Sequence, residues 1–467
     1  MSSASVNDVK TGIVHFGIGR FHRAHEAVYV QELLAKGYNE WGLCGVCMLP
    51  YDKFIFESLE AQKCKYTLLE RNSTSETVKH IDSIKEVLYG HINPQSVFDK
   101  LTDNDVKLVT CTVTEAGYFF DPVHKTLLTE HESIRYDINN ITTPKTIYGY
   151  LVHGLYLRHK SGMKPFTIQS CDNIQGNGTL LKRCLLAFCE LVYPSLTSYI
   201  IEKVTFPNSM VDRITPAATT SEVDYVQNTL GLSDSVPVTS EVYRQWVIED
   251  NYCNDRPNWT EVGVQMTESV KPYEKIKVRL LNGGHSALAY AGHLAGFTSV
   301  SEAATNDAFV VYLRKYFSQI QQTLIPVDGV NFEEYRESLV SRFGNTAIED
   351  QLLRLCKDGS AKIPGFVLEA LGELLQESQS QPTSCIAFLL ASFMRFLVVN
   401  MEKNEKIDDP EADMLLRLVT SANGNATVFL SDPLFGSLST NIQFVATVQV
   451  CYDDICINGV LSALSRV

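Results

Sequence analysis

The stretch KVRLLNGGHS places a lysine, an asparagine and a histidine at Lys277, Asn282 and His285, offset by zero, five and eight. These residue types can act together on an alcohol or a carbonyl. A lysine amine takes or gives a proton once burial or a neighbouring cation favours its neutral form. An asparagine amide donates to an oxygen that gains charge, and a histidine can fix what lies between them. On an α-helix the three would fall at roughly 0°, 140° and 80° around the axis, with a rise of about 12 Å from first to last. A surface lysine, a helix-capping asparagine and a satisfied histidine fit the same spacing, so the residues alone leave both readings open. Gly283 and Gly284 interrupt the helical pattern at about 1 kcal/mol each relative to alanine. Close approach of another backbone or of a ligand would explain them.

A second stretch, HFGIGRFHRAH, sets Gly17 and Gly19 between a strand-like run and a helical one. In a dinucleotide-binding unit the first glycine permits the tight turn and the second lets a pyrophosphate approach the backbone. His22 occupies the place of the usual third glycine, and a Gly-x-Gly turn also ends many strands that bind nothing. Its position on the first strand of an α/β alternation favours the dinucleotide reading. Beyond the second strand, Asp52 in MLPYDK has the chemistry to bond a ribose 2′-hydroxyl, which would favour NAD over NADP. It lies further from the glycines than is usual, and a solvated loop aspartate followed by Lys53 fits equally well.

The elements that must position these residues follow from the hydrophobic pattern. TGIVHFGIG, WGLCGVCML, KLVTCTVTE, PFTIQSCDN and KVTFPNSMV read as strands, and FHRAHEAVYVQELLAKG as a helix with a stop at Gly37. This alternation predicts an α/β, Rossmann-like domain with a mostly parallel sheet over residues 1–270. From about Lys271 the pattern turns helical, in FVVYLRKYFSQIQQTL, AIEDQLLRLCK, GFVLEALGELLQ, CIAFLLASFMRFLVVNMEK and EADMLLRLV. A mainly α-helical substrate-binding and catalytic domain is expected over 271–467, with the active site in the cleft between the two.

Composition narrows the function classes. The 467 residues are 45% hydrophobic and 20% charged, with a formal net charge of −14. That charge argues against nucleic acid and against a polybasic membrane patch as partners. No uninterrupted apolar run reaches about 18 residues and no basic-then-apolar leader follows Met1, so a cytoplasmic protein is expected. Most of the twelve cysteines stand singly in apolar runs, as buried thiols do in a reducing compartment. Cys44 and Cys47 have Cys-x-x-Cys spacing but no second pair or matching histidines for zinc, and their apolar run reads as an inert strand.

The blocks HFGIGRFHRAH, TVTEAGY, SCDNIQGNG, FPNSMVDRITP, RQWVIED, RPNW and KVRLLNGGHS, in this order, resemble the long-chain, metal-independent mannitol dehydrogenase family. That family includes mannitol 2-dehydrogenase, D-arabinitol dehydrogenase and the hexuronate reductases. The resemblance runs from about Gly12 to the 360s. It implies an NAD-dependent enzyme interconverting a polyol and its 2-ketose, D-mannitol and D-fructose first among them. A hexuronate reductase for fructuronate or tagaturonate, a D-arabinitol dehydrogenase, and an inactive NAD(H)-binding sensor are the alternatives.

Residue by residue, the resemblance makes Lys277 the general acid/base. Asn173 and Asn282 become the pair that holds the reacting oxygen, and His285 a substrate-positioning group. Asp212, Arg354 and Lys362 match substrate-binding positions, and Glu274 a glutamate that passes protons. Gly17, Gly19 and Phe21 match the pyrophosphate turn, and Asp52 the ribose acid. Tyr51 stands where some members carry a second acid, so NADP(H) use stays open. Lys357 stands near the place of a family histidine, a departure that bears on substrate length and charge. No metal is implied, and the oligomeric state is left open.

Overall fold

The computed structural model describes residues 9–121, 124–216, 219–348, 350–377 and 383–467. The chain divides into two units, Met1–Lys271 and Pro272–Val467. Eleven strands form among the described residues, all in the first unit. They are β1 (Thr11–Phe16), β2 (Gly42–Cys47), β3 (Tyr66–Arg71), β4 (Glu76–Ile81), β5 (Ile84–Tyr89), β6 (Leu108–Cys111), β7 (Thr167–Ser170), β8 (Ser209–Asp212), β9 (Val238–Glu241), β10 (Gln245–Glu249) and β11 (Gln265–Thr267).

The main sheet has the order β5-β2-β1-β6-β7 and every pairing in it is parallel. Side chains alternate between two apolar cores. Val14, Phe16, Cys44, Val46, Val109 and Cys111 enter one, while Ile13, Leu43, Cys47 and Leu108 enter the other. A sheet covered on both faces reads as a continuous apolar run, which is why these strands are legible in the sequence. The chain leaves β1 toward β2 on one side, and β6 joins on the other. The strand order therefore reverses at β1 and β6, whose carboxyl ends are the switch point where ligands of such sheets bind.

Several elements differ from the sequence expectation. KVTFPNSMV does not extend the parallel sheet, because β8 pairs antiparallel with β10 in a separate sheet, β11-β10-β8. A third sheet, β4-β3-β9, contains the antiparallel β3–β4 pair, which the strand–helix alternation of the sequence does not reveal. The helix over FHRAHEAVYVQELLAKG breaks at His25, giving Arg20–Ala24 and Glu26–Ala35. There the His25 ring is held by the Gln245 carbonyl at 2.9 Å and by Phe21 and Trp246.

The second unit is helical around one large apolar core. Its longest helix, Ser384–Lys403, is long and apolar enough by composition to cross a membrane, although Arg395 interrupts the run. With 78% of its apolar window buried, it is the central core helix. AIEDQLLRLCK yields only the short helix Leu352–Cys356, preceded by a bridge from Gln351 to Ser299. Helix Gly283–Leu294 packs against Asp307–Gln321, and that contact explains the paired glycines. A Cβ on Gly283 would lie 2.3 Å from the Tyr316 hydroxyl, and one on Gly284 2.7 Å from the Phe317 ring.

Gly284→Ala tests this packing. In an open helix the change would stabilise by about 1 kcal/mol. Here it should destabilise the unit by about 1–3 kcal/mol through overpacking, measured by urea denaturation. Unchanged or higher stability would show that Phe317 and Phe343 leave room for a methyl group.

Candidate active site

The glycine turn follows directly from the end of β1. Gly17 has φ +93°, and a Cβ there would lie 2.2 Å from the Thr112 carbonyl oxygen, so only glycine fits. Its N–H donates to the Val46 carbonyl at 3.1 Å, which ties the turn to β2. A Cβ at Gly19 would meet nothing within 4 Å, leaving backbone open to a ligand. Phe21 is half-buried, its ring stacked on His25 at 4.9 Å. Asp52 stands past the end of β2, where its Oδ2 accepts from the Met48 and Leu49 N–H groups at 3.0 and 2.9 Å. Tyr51 beside it is 79% exposed.

Asn173 is exposed in the loop after β7. The carboxylate before it, Asp172, is buried and accepts from the Val113 and Thr114 N–H groups at 3.1 and 2.9 Å and from the Tyr118 hydroxyl at 3.0 Å. Burial raises its pKa above the ordinary value, while those three donors pull it down. Thr114 has φ +62° and ψ 166°, a conformation that side-chain-bearing residues rarely adopt. Asp172 thus holds a strained loop beside Asn173. Gly17, Gly19, Asp52, Thr114 and Asn173 all lie past the carboxyl ends of β1, β2, β6 and β7, along one edge of the parallel sheet.

Asp212, 3% exposed, ends β8. The next residue, Arg213, is buried and donates to the carbonyls of Ala24 and Glu241 and, at 2.6 Å, to Glu70. This guanidinium ties the Asp212 strand to the helix that follows the glycine turn.

In the second unit, helix Lys271–Ile276 continues into a π-helical segment, Lys277–Asn282, and then into Gly283–Leu294. The residues alone leave open whether this run is a regular helix or one distorted near the paired glycines. The π-helical i→i+5 pattern brings Lys277 and Asn282, five apart, onto successive turns of one face, and such segments often mark functional sites. Lys277 is 6% exposed and Glu274 8%. The His285 ring stacks on Phe343 with centroids 4.3 Å apart.

Arg279 anchors the wide turn. Its guanidinium is buried, donates to the Thr323 carbonyl at 3.0 Å, and grips both oxygens of Glu373 at 2.6 and 2.8 Å. Arg354 and Lys362 come from short helices packed on Gly283–Leu294 and on its Tyr290. The Arg354 guanidinium is paired with Asp350, and the Lys362 amine donates to the Leu355 carbonyl at 3.2 Å. Lys357 is ion-paired with Asp408.

Among the described residues one group has the ligand types a cation would want: His15, His22 and Glu26, all buried. The two imidazoles stack at 3.5 Å with planes 18° apart, so a cation between them would lie off both ring planes, away from the nitrogen lone pairs. Burial, reinforced by His15, lowers the His22 pKa to about 4. Cys44 and Cys47 are buried and unpaired on β2, with burial pushing the Cys47 thiol up to about 12.

The chain matches the models of the mannitol dehydrogenase Rossmann domain over residues 11–261 and of the mannitol dehydrogenase C-terminal domain over 269–456. The chain belongs to the mannitol dehydrogenase family. It is an oxidoreductase of the polyol dehydrogenase class. It is 38% identical over 466 residues to mannitol dehydrogenase 2 of Saccharomyces cerevisiae, covering 98% of this chain and 93% of that one. Mannitol 2-dehydrogenase of Neosartorya fischeri is 37% identical over 469 residues, with the same coverage. A crystal structure of D-sorbitol dehydrogenase in substrate-free form superposes with a TM-score of 0.91 at 32% identity, covering 98% of this chain and 96% of that one. The ternary complex of Pseudomonas fluorescens mannitol 2-dehydrogenase with NAD and D-mannitol gives 0.85 at 35% identity, covering 99% and 95%.

In this family member the sequence reading missed the residues that hold the site in place: His15, Glu26, Thr112, Asp172, Arg213 and Arg279. For His15 a signal existed, since a histidine interrupts the apolar run IVHF on a strand buried on both faces. The others look like ordinary polar residues until their distant partners are known.

The Arg279–Glu373 pair gives a pH prediction. Its arginine partner holds the Glu373 carboxyl down from the ordinary 4.5 to about 2. A lowered carboxyl contributes stability that is present above the unfolded value, near 4.5, and lost as pH falls toward 2. Glu373→Gln should therefore be less stable than the parent at pH 6 in urea denaturation, with the gap narrowing below pH 4.5. A gap constant with pH would rule out the charge as its origin.

Proposed function

We propose that this enzyme interconverts D-mannitol and D-fructose with NAD(H), using Lys277 as general acid/base and no metal. The observation that carries the reading is the π-helical segment, which puts a buried lysine and an asparagine amide on one face of a helix whose regular form would separate them. The glycine turn fits a dinucleotide, since Gly17 needs its positive φ and Gly19 leaves its backbone open. Asp52 at the end of β2 would meet the adenosine ribose. A bound NAD would supply the acceptor for the hydride at C2 of the polyol, and NADH the donor in the reverse direction.

The chain's own residues do the rest. The neutral Lys277 amine takes the C2 hydroxyl proton as the carbon–oxygen double bond forms, and gives it back during reduction. Asn173 and Asn282 donate to the oxygen while it carries charge, which is where fixed donors act most strongly. His285 and Asp212 orient the neighbouring hydroxyls, Arg354 and Lys362 bind the far end of the polyol, and Glu274 passes the proton between Lys277 and solvent.

Charge pairing favours a neutral polyol over a hexuronate at two of the three nearby cations. A substrate carboxylate would call for an unspent cation; Arg354 is paired with Asp350 and Lys357 with Asp408, so Lys362, whose amine donates to the Leu355 carbonyl, is the one that would have to meet it. The twelve unpaired cysteines support a reducing, cytoplasmic setting.

NADH oxidation followed optically with D-fructose, D-xylulose, D-fructuronate and D-tagaturonate, with EDTA present, tests the reading. Fructose should give the highest kcat/KM and chelation should change nothing; preference for a uronate or loss with EDTA would overturn it. Lys277→Ala should lose most of the turnover while NADH affinity stays close to the parent's, and near-normal turnover would remove Lys277 from the role. Asn282→Ala should cost about 3–4 kcal/mol, roughly 10²–10³ in kcat.

A further inference from the structure

Three donors converge on one carbonyl in the glycine turn. The Gly17 oxygen accepts from the Gly19 N–H at 2.7 Å, from the Thr112 hydroxyl at 2.8 Å and from His15 Nε2 at 3.1 Å. A carbonyl only accepts, so Nε2 carries the proton in that contact. His15 Nε2 also lies 2.9 Å from the Thr112 oxygen, so hydroxyl and imidazole support each other as well as the carbonyl.

The imidazole is itself locked. It is fully buried, its Nδ1 lies 2.7 Å from the Thr110 hydroxyl and 2.9 Å from a Glu26 oxygen, and its face is stacked on His22. Thr110 in turn donates to Glu26 at 3.0 Å. Burial pushes the Glu26 carboxyl up, but the two histidines outweigh it and hold the group below the ordinary carboxylate range. A continuous buried network thus runs from the helix at Glu26, through His15 and Thr110, to the turn.

The consequence lies in the other half of the same peptide. The described backbone has no cis peptide bond. In a planar trans peptide the N–H of Ile18 points opposite to the Gly17 carbonyl. With the carbonyl drawn toward His15 and Thr112, the Ile18 N–H is turned away from them. Glycine's conformational freedom would let this peptide turn over, which would aim a carbonyl dipole at an approaching anion. A carbonyl that receives donors also makes its own amide a better donor.

We propose that His15, Thr112 and Glu26 are positioning residues for the dinucleotide, holding the Gly17–Ile18 peptide so that the Ile18 N–H faces the pyrophosphate. This rests on reading the glycine turn as the NAD(H) site. None of the three side chains needs to touch the cofactor.

The test uses the full-length enzyme and the near-isosteric Thr112→Val, with Thr112→Ala as a second variant if valine impairs folding. Affinities for NADH, ADP-ribose and adenosine are measured by fluorescence titration or by competition, together with steady-state constants. NADH and ADP-ribose should weaken about tenfold, the loss of about 1.4 kcal/mol expected for one hydrogen bond. Adenosine, which lacks the pyrophosphate, should bind as before. The loss should fall on KM for NADH more than on kcat, and Thr112→Ser should restore it. Unchanged NADH affinity, an equal loss for adenosine, or failure of serine to rescue would each overturn the proposal. A parent enzyme that binds neither NADH nor ADP-ribose would instead overturn the cofactor reading beneath it.

Discussion

A buried charge without a partner costs several kcal/mol, and in this chain that constraint acts right beside the residues placed in the site. Asn173 follows Asp172, Asp212 precedes Arg213, and Lys277 stands two before Arg279. Each of the three neighbours is a buried ionisable group held by carbonyls, amides or an opposite charge from distant parts of its own unit. Pairing the neighbour fixes the backbone from which the proposed site residue projects. Position thereby comes from groups that need never contact substrate.

The same pairing sustains backbone that would otherwise relax. Thr114 sits in a conformation that disfavours a side chain, and two of its loop's N–H groups end on Asp172. The wide turn at Lys277–Asn282 is poorer in hydrogen-bond regularity than an α-helix, and Arg279 bolts it to Thr323 and Glu373. The helix after the glycine turn breaks at His25, where Ala24 offers its carbonyl to Arg213. Irregular backbone at these points costs of order 1–3 kcal/mol each and persists only where its surroundings over-determine it.

Charge pairing also bears on the proposed selectivity. Arg354 lies on helix Leu352–Cys356 and Lys357 directly follows it, in the segment proposed to meet the far end of a substrate. Their pairing with Asp350 and Asp408 offsets two of the basic residues of that region. On the proposed reading a neutral polyol would meet such a surface through hydroxyl contacts, whereas a carboxylate would have to compete with the aspartates at Arg354 and Lys357. Counting cations along the chain gives the opposite impression, because it omits the acids that fold against them.

The sequence by itself determined four of the five strands of the main sheet, β1, β2, β6 and β7, and the residue types available for chemistry; the edge strand β5 went unread because its residues after Ile84 are only half-buried. Strands buried on both faces leave unbroken apolar runs, a glycine with positive φ leaves a Gly-x-Gly turn, and long helices leave a 3.6-residue period. Lys277, Asn173, Asn282 and His285 were visible because their types and local spacing carry the family pattern. What only the tertiary structure decided depends on partners far away in the chain. Thr112 meets Gly17 across a separation of 95 residues, and Arg213 reaches Ala24 across 189. The antiparallel placing of β8, the break at His25, and the fit of Gly283 and Gly284 against Tyr316 and Phe317 are of the same kind. Periodicity reports which face of an element is buried, but not which side chain buries it. Hydrogen bonds, steric limits and charge pairing at the site are settled by that second fact, which exists only once the chain has folded.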